Sequence, residues 1–110
     1  MKQYVIDELR PEDFEKLKAY LEEHYAGEKM DGLYWLLIGD ELLTEVQTSH
    51  NHCKPFYFAL ELTPDRLSCE LLVRSKNQLR CGCIAYANQD QRNWIIRKVD
   101  AMVDTLGLIT

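Results

Sequence analysis

The sequence lacks the features of a membrane, secreted or disordered protein. No apolar run approaches the roughly 18–20 residues that a membrane helix needs, and the longest covers residues 33–38. The N-terminal residues 1–9 contain no apolar h-region, so we expect no signal peptide and a cytoplasmic location. The 110 residues contain no linker, repeat or low-complexity tract. We therefore expect one globular domain over residues 1–110.

The sequence also has too little clustered positive charge for a general nucleic-acid-binding protein. The net charge is −5, and residues 1–63 carry 6 Lys and Arg against 13 Asp and Glu. Binding to a phosphate backbone needs clustered cations. We therefore expect no nucleic-acid partner and no membrane partner, and the expected partner is a protein or a small molecule of unknown identity.

Common catalytic and cofactor motifs are absent as well. The sequence contains no G-x-x-x-x-G-K-[ST], G-x-G-x-x-G, G-x-S-x-G or H-E-x-x-H. The favoured interpretation is a small cytosolic binding or adaptor domain that has no catalytic activity of its own and no cofactor. A homodimer is also compatible with this class of fold, because small α+β domains often cover an open sheet face or edge by self-association.

Two amphipathic helices are predicted. The first begins at Pro11, which suits the first helical position, ends at Gly27, and carries one apolar face formed by Phe14, Leu17, Leu21 and Tyr25. The second begins after Asn88, where Gln91 completes a capping box. It ends at Gly107 and carries a main apolar stripe formed by Ile95, Val99, Met102 and Leu106.

Five strands are predicted, over residues 2–8, 32–39, 55–62, 67–74 and 79–87. The apolar run at 32–39 predicts a fully buried strand. The last three strands, joined by tight turns, predict an antiparallel meander. The order β-α-β-(α)-β-β-β-α predicts an α+β fold, a mostly antiparallel sheet of four to five strands with the N-terminal and C-terminal helices packed on one face.

Residues 41–52 are compatible with two structures. A turn at Gly39 and Asp40 would lead into a strand, whereas Thr44 and Gln47 would form the capping box of a short helix. We favour a helix or an irregular helical loop. The choice matters because His50 shares a helical face with Cys53 but an extended face with His52.

Two short clusters hold most of the metal-ligating residue types. "SHNHC" at 49–53 and "RCGC" at 80–83 contain two of the three histidines and three of the four cysteines. Cytosolic cysteines are usually thiols rather than disulfides. Cys81 and Cys83 are one residue apart in a predicted strand, so their side chains would share a face.

The predicted meander brings these clusters to the same end of the sheet. Strands 55–62 and 79–87 would run parallel, with 67–74 between them, so Cys53 and Cys81 would lie about 10 Å apart. The alternative function is therefore a structural or redox-sensing protein that binds zinc or iron through a histidine and cysteine cluster. Its metal ligands would be His50, His52, Cys53, Cys81 and Cys83.

Two further interpretations of the same residues remain. The cysteines are also typical of small buried core residues, with the histidines solvated in a loop. A cysteine nucleophile with His50 or His52 as its base would need a lowered thiol pKa.

Overall fold

A computed structural model describes residues 1–25 and 32–109 as an α+β fold with the two long helices toward the chain ends. The elements are β1 (Gln3–Ile6), α1 (Pro11–Tyr25), β2 (Leu33–Leu37), α2 (Glu45–Ser49), β3 (Phe56–Thr63), β4 (Arg66–Glu70), β5 (Leu72–Ser75), β6 (Ala85–Tyr86) and α3 (Gln89–Leu106). Single 3-10 turns at Asp40–Leu42 and Asn51–Cys53 flank α2. The predicted end of the first helix at Gly27 lies outside the described residues. The described helices include none with the length and apolar character required to span a membrane.

The sheet is built around β3, and every strand pair in it is antiparallel. One edge of β3 pairs with β2, and the other edge pairs with β4 and then β5. β1 and β6 lie beyond these two strands. Leu71, between β4 and β5, bonds to the residues next to both outer strands. Its N–H donates to the Lys2 carbonyl beside β1 (3.0 Å), and its carbonyl accepts the Ala87 N–H beside β6 (2.8 Å). Six strands therefore occupy four positions across the sheet.

The core lies between the sheet and the two long helices. Alternate side chains of β3 (Phe56, Phe58, Leu60 and Leu62) are buried on the helix side. The helices bury Leu17 and Leu21 of α1 and Ile95, Val99 and Met102 of α3. The predicted α+β fold, with both helices on one face, is confirmed.

The ends of α3 follow their predicted caps. Asn88 and Gln91 form the capping box, and Gly107 ends the helix in the left-handed conformation with φ +66°. A residue without a Cβ adopts this conformation at little cost.

The prediction of a fully buried strand at 32–39 was wrong. β2 is an edge strand, in which Tyr34 and Leu36 are buried on the helix side, as is the following Ile38, while Leu37 is 51% exposed. The continuous apolar run suggested two covered faces, but only one face of this strand meets the helices.

The predicted order of the three-strand meander is present, since β5 lies between β3 and β6 in antiparallel pairing, but the strands are shorter than predicted and interrupted. The predicted strand 67–74 is broken at Leu71, since Leu60 pairs with Cys69 whereas Tyr57 pairs with Arg74. The predicted strand 79–87 is reduced to Ala85–Tyr86. Its first part is a turn, closed by the Ile84 N–H donating to the Cys81 carbonyl at 3.1 Å.

The preference for helical structure over 41–52 is confirmed. The Gln47 N–H donates to Thr44 Oγ1 (3.2 Å), and the Thr44 N–H donates to Gln47 Oε1 (3.0 Å). This reciprocal capping box satisfies two N–H groups at the start of α2.

A buried pair of glutamines, Gln47 and Gln91, links the starts of two helices. Gln91 Nε2 donates to Gln47 Oε1 and to the Leu42 carbonyl, each at 2.9 Å. Gln47 Nε2 donates to the Cys83 carbonyl at 3.2 Å. Because each glutamine is also the N3 residue of a capping box, the pair ties α2, α3 and the turn before β6 together.

Replacing Gln91 with alanine should destabilise the protein by about 2–4 kcal/mol. The change removes one arm of a capping box and leaves buried acceptors at Leu42 and Gln47 without this donor. Urea unfolding followed by circular dichroism measures the loss. Gln89→Ala is the matched control, because this exposed glutamine bonds only its neighbour Asn93 among the described residues, and it should change stability by less than about 0.5 kcal/mol. Equal losses in both variants would contradict the assigned role.

Candidate metal centre

Four of the five predicted ligands lie together at one end of the sheet. His50, Cys53, Cys81 and Cys83 each offer one ligand atom, and these atoms all lie within 4.8 Å of one another. The cluster joins the segment before β3 to the segment before β6. These segments meet because β3 and β6 run parallel, with β5 between them.

Helical structure places His50 and Cys53 on the same side of their segment. The His50 N–H donates to the Gln47 carbonyl (3.2 Å), and the Cys53 N–H donates to the His50 carbonyl (2.9 Å). Residues three apart in such a turn share a face. His52 lies outside the cluster; it is exposed, and its ring stacks on that of His50 with centroids 5.8 Å apart.

A turn, rather than a strand, brings Cys81 and Cys83 together. The turn from Cys81 to Ile84 reverses the chain, and the Cys83 backbone N–H donates to the Cys81 sulfur. Gly82, at the exposed tip, has no atom within 4 Å of the position its Cβ would take. The expected convergence of the two sulfurs is therefore present, but the strand argument gave the wrong reason for it.

Hydrogen bonds to the backbone hold both segments in place. Ser75, buried at the end of β5, donates its hydroxyl to the Cys53 carbonyl. Ser75 Oγ also accepts hydrogen bonds from the N–H groups of Asn77 (3.2 Å) and Gln78 (3.1 Å). Gln47 donates to the Cys83 carbonyl in the same way. Each segment of the cluster is therefore held by a hydrogen bond from a buried side chain to its backbone.

The surroundings of the three thiols shift their pKa values in different directions. Hydrogen bonds from the backbone and the thiol of Cys83, with smaller contributions from His50 and Cys53, lower the pKa of Cys81 to about 6. Burial raises the pKa of Cys83 to about 12 and also raises the pKa of Cys53. The cluster therefore stabilises one thiolate, at Cys81, through donors supplied by its neighbours.

The donor set suits one tetrahedral ion. With Zn–S bonds near 2.3 Å, sulfur ligands on one zinc lie about 3.8 Å apart. The widest separation in the cluster, 4.8 Å, needs only a small inward movement of the side chains. Three thiols and one imidazole form a Cys3His set, which is common in structural zinc sites.

Sequence reasoning missed the residues that support the cluster. Gln47 was noted as a capping residue, but its second bond to Cys83 depends on tertiary contacts, and no signal marked Ser75. Cys69 lies outside the cluster, in β4, where burial raises its thiol pKa to about 12. It is the cysteine that fits the interpretation as a core residue.

Comparisons of the chain with protein-family models, curated proteins and solved structures find no match. The function assigned to the cluster therefore depends on its geometry and chemistry.

In protein stripped of metal by a chelator, Cys81 should be alkylated first by iodoacetamide. Its lowered pKa keeps the thiolate at neutral pH, so the rate should reach half its maximum near pH 6 and fall below it. Peptide mass spectrometry identifies the modified residue. First reaction at Cys53 or Cys83, or a rate that still rises steeply above pH 8, would contradict the described environment.

Proposed function

We propose that the protein binds one zinc ion through His50, Cys53, Cys81 and Cys83, and that this ion stabilises the fold. The observation that carries the proposal is the convergence of three sulfurs and one imidazole within 4.8 Å. The span suits a single ion bound by all four side chains.

The ligand types favour zinc over the other common metal ions. Calcium and magnesium prefer oxygen ligands, whereas thiolates and imidazole suit zinc. Three thiolates and a neutral histidine would leave one net negative charge around a divalent ion. The backbone N–H of Cys83, aimed at the Cys81 sulfur, helps to stabilise that charge. Iron is the other metal compatible with a thiolate-rich set, and elemental analysis distinguishes the two.

Four protein ligands support a structural role. Catalytic zinc sites keep a position for water or substrate, and four side chains fill the tetrahedron. Residues 76–84 contain no helix or strand, and hydrogen bonds hold this loop near its two ends, at Asn77, Gln78 and Cys83. An ion shared with His50 and Cys53 would tether it to the segment before β3 and stabilise the folded state by binding it selectively.

Protein purified without a tag and without a chelator should contain one zinc ion per chain. Removing the ion should lower the unfolding temperature, because zinc at 100 times its Kd contributes about 2.7 kcal/mol of stability. Elemental analysis and thermal unfolding with and without chelator measure both effects.

Two matched pairs of variants test the ligand assignment. His50→Ala and Cys83→Ala should lose the zinc, whereas His52→Ala and Cys69→Ala should keep it, since these residues lie outside the cluster. Absence of stoichiometric metal in the unaltered protein, or equal zinc content in both members of each pair, would refute the proposal.

The uncovered face of the sheet supports a second candidate function, binding of a small organic cation. A recess of about 300 Å³ lies on the face opposite the helices. Trp35 and Tyr57 stack at its wall, with ring centroids 4.3 Å apart, and Ala59 lies among its lining residues. Aromatic walls of this kind are common in ligand sites.

The charges around the recess favour a cationic ligand. Arg74 is held by two hydrogen bonds to Glu70, at 2.9 and 3.1 Å. Glu61 is exposed and has no partner among the described residues. Two carboxylates and one guanidinium line the recess, and Lys76 Nζ lies 5.1 Å from the Trp35 ring centroid, so the ammonium group of a ligand would take the place of this cation over the ring.

Isothermal titration calorimetry with phenethylammonium should detect this binding, and the neutral phenethyl alcohol should bind more weakly. Glu61→Gln should weaken binding up to about fivefold, as expected for an exposed charge contact. Glu15→Gln, an exposed charge on α1, is the control and should leave affinity unchanged. Equal affinity for the cation and for phenylacetate would rule out this ligand class.

A further inference from the structure

We propose that Cys81 is an oxidation site for hydroperoxides, and that its conversion to a disulfide releases the zinc ion. The inference rests on the proposed metal centre, and it assigns that centre a reaction as well as a structural role.

Access to solvent distinguishes Cys81 from the other two thiols. Cys53 is 0% exposed and Cys83 is 2% exposed, whereas Cys81 is only half-buried. Cys81 also lies in an exposed loop, in which the neighbouring Leu79 is 95% exposed. A small oxidant arriving from water therefore reaches the Cys81 sulfur first. A thiol bound to zinc is already deprotonated, as nucleophilic attack on a peroxide requires.

A second thiol lies in position to complete a disulfide. The sulfurs of Cys53 and Cys83 are both within 4.8 Å of the Cys81 sulfur. A disulfide needs a separation of about 2.05 Å, so the Cys81 loop must move inward. Gly82 at the turn has no atom within 4 Å of its Cβ position, so the Cys81 side of the turn has room to rotate inward while Gln47 keeps hold of the Cys83 carbonyl.

The reaction consumes one hydroperoxide for each disulfide. The Cys81 thiolate attacks the peroxide, the O–O bond breaks, and a sulfenic acid forms with release of hydroxide or alkoxide. The thiolate of Cys53 or Cys83 then attacks the Cys81 sulfur, the S–O bond breaks, and hydroxide leaves. Two protons from the buffer neutralise the two leaving groups as water or alcohol. Two thiols lose two electrons in total, the peroxide gains them, and zinc loses two of its four ligands.

Zinc-loaded protein treated with hydrogen peroxide tests this sequence. Zinc released into a chromogenic chelator should reach one ion per chain, while free thiols fall from four to two. Dimedone present during the reaction should label Cys81, and peptide mass spectrometry should find Cys81 linked to Cys53 or Cys83. Dithiothreitol with added zinc should restore the metal and all four thiols.

Cys69→Ala is the matched variant, because it removes a cysteine outside the cluster. It should release zinc at the unaltered rate and with the same stoichiometry. Zinc that stays bound with its thiols intact in excess peroxide would overturn this inference and leave the metal centre standing. Sulfenic acid trapped on Cys53 or Cys83 instead of Cys81 would also overturn it. Protein that never contains zinc would refute the proposed function itself.

Discussion

The hydrogen bond between the buried side chains of Gln47 and Gln91 is the contact on which the rest of the arrangement depends. Each glutamine caps the helix that contains it, so the bond fixes the starts of α2 and α3 relative to each other. Gln47 also holds the Cys83 carbonyl, so the position of the cysteine turn follows from the position of the helices. An amide placed among fully satisfied partners is costly to disturb, because every displaced group would be buried without a hydrogen bond.

The two faces and the end of the sheet serve different purposes. The helix side supplies the apolar core, in which Phe58 packs against Trp94. The other face carries an aromatic pair and a recess with charged walls. The thiol cluster lies at the end of the sheet, where the segments leading into β3 and β6 meet. A single fold therefore keeps the candidate metal centre apart from the candidate ligand surface.

Local patterns predicted the helices well and the strands less well. Capping residues and apolar spacing identified α1, α2 and α3, because these signals act within one turn of the chain. The residue pattern of 79–87 is compatible with a strand and also with a turn around Gly82. The choice between the two depends on tertiary contacts with the segment that contains His50 and Cys53. The break at Leu71 was hidden because it arises where one residue bonds both Lys2 and Ala87. His52 was included among the predicted metal ligands because the sequence left the structure of residues 41–52 open. Only the helical turn shows that His50, and not His52, lies near the cysteine sulfurs.

The pairing of β1 with β4 has a consequence for how the chain is made. Gln3 lies opposite Glu70, so β1 has to wait for its β4 partner until the residues between them have been synthesised. At roughly 5–20 residues per second, translation leaves that strand unpaired for several seconds. The hairpin of β3 and β4, joined by a short turn, can form earlier because its ends are close in sequence. This order of synthesis favours assembly from the middle of the sheet outward, with β1 docking onto the edge of β4 after the β3–β4 hairpin has formed.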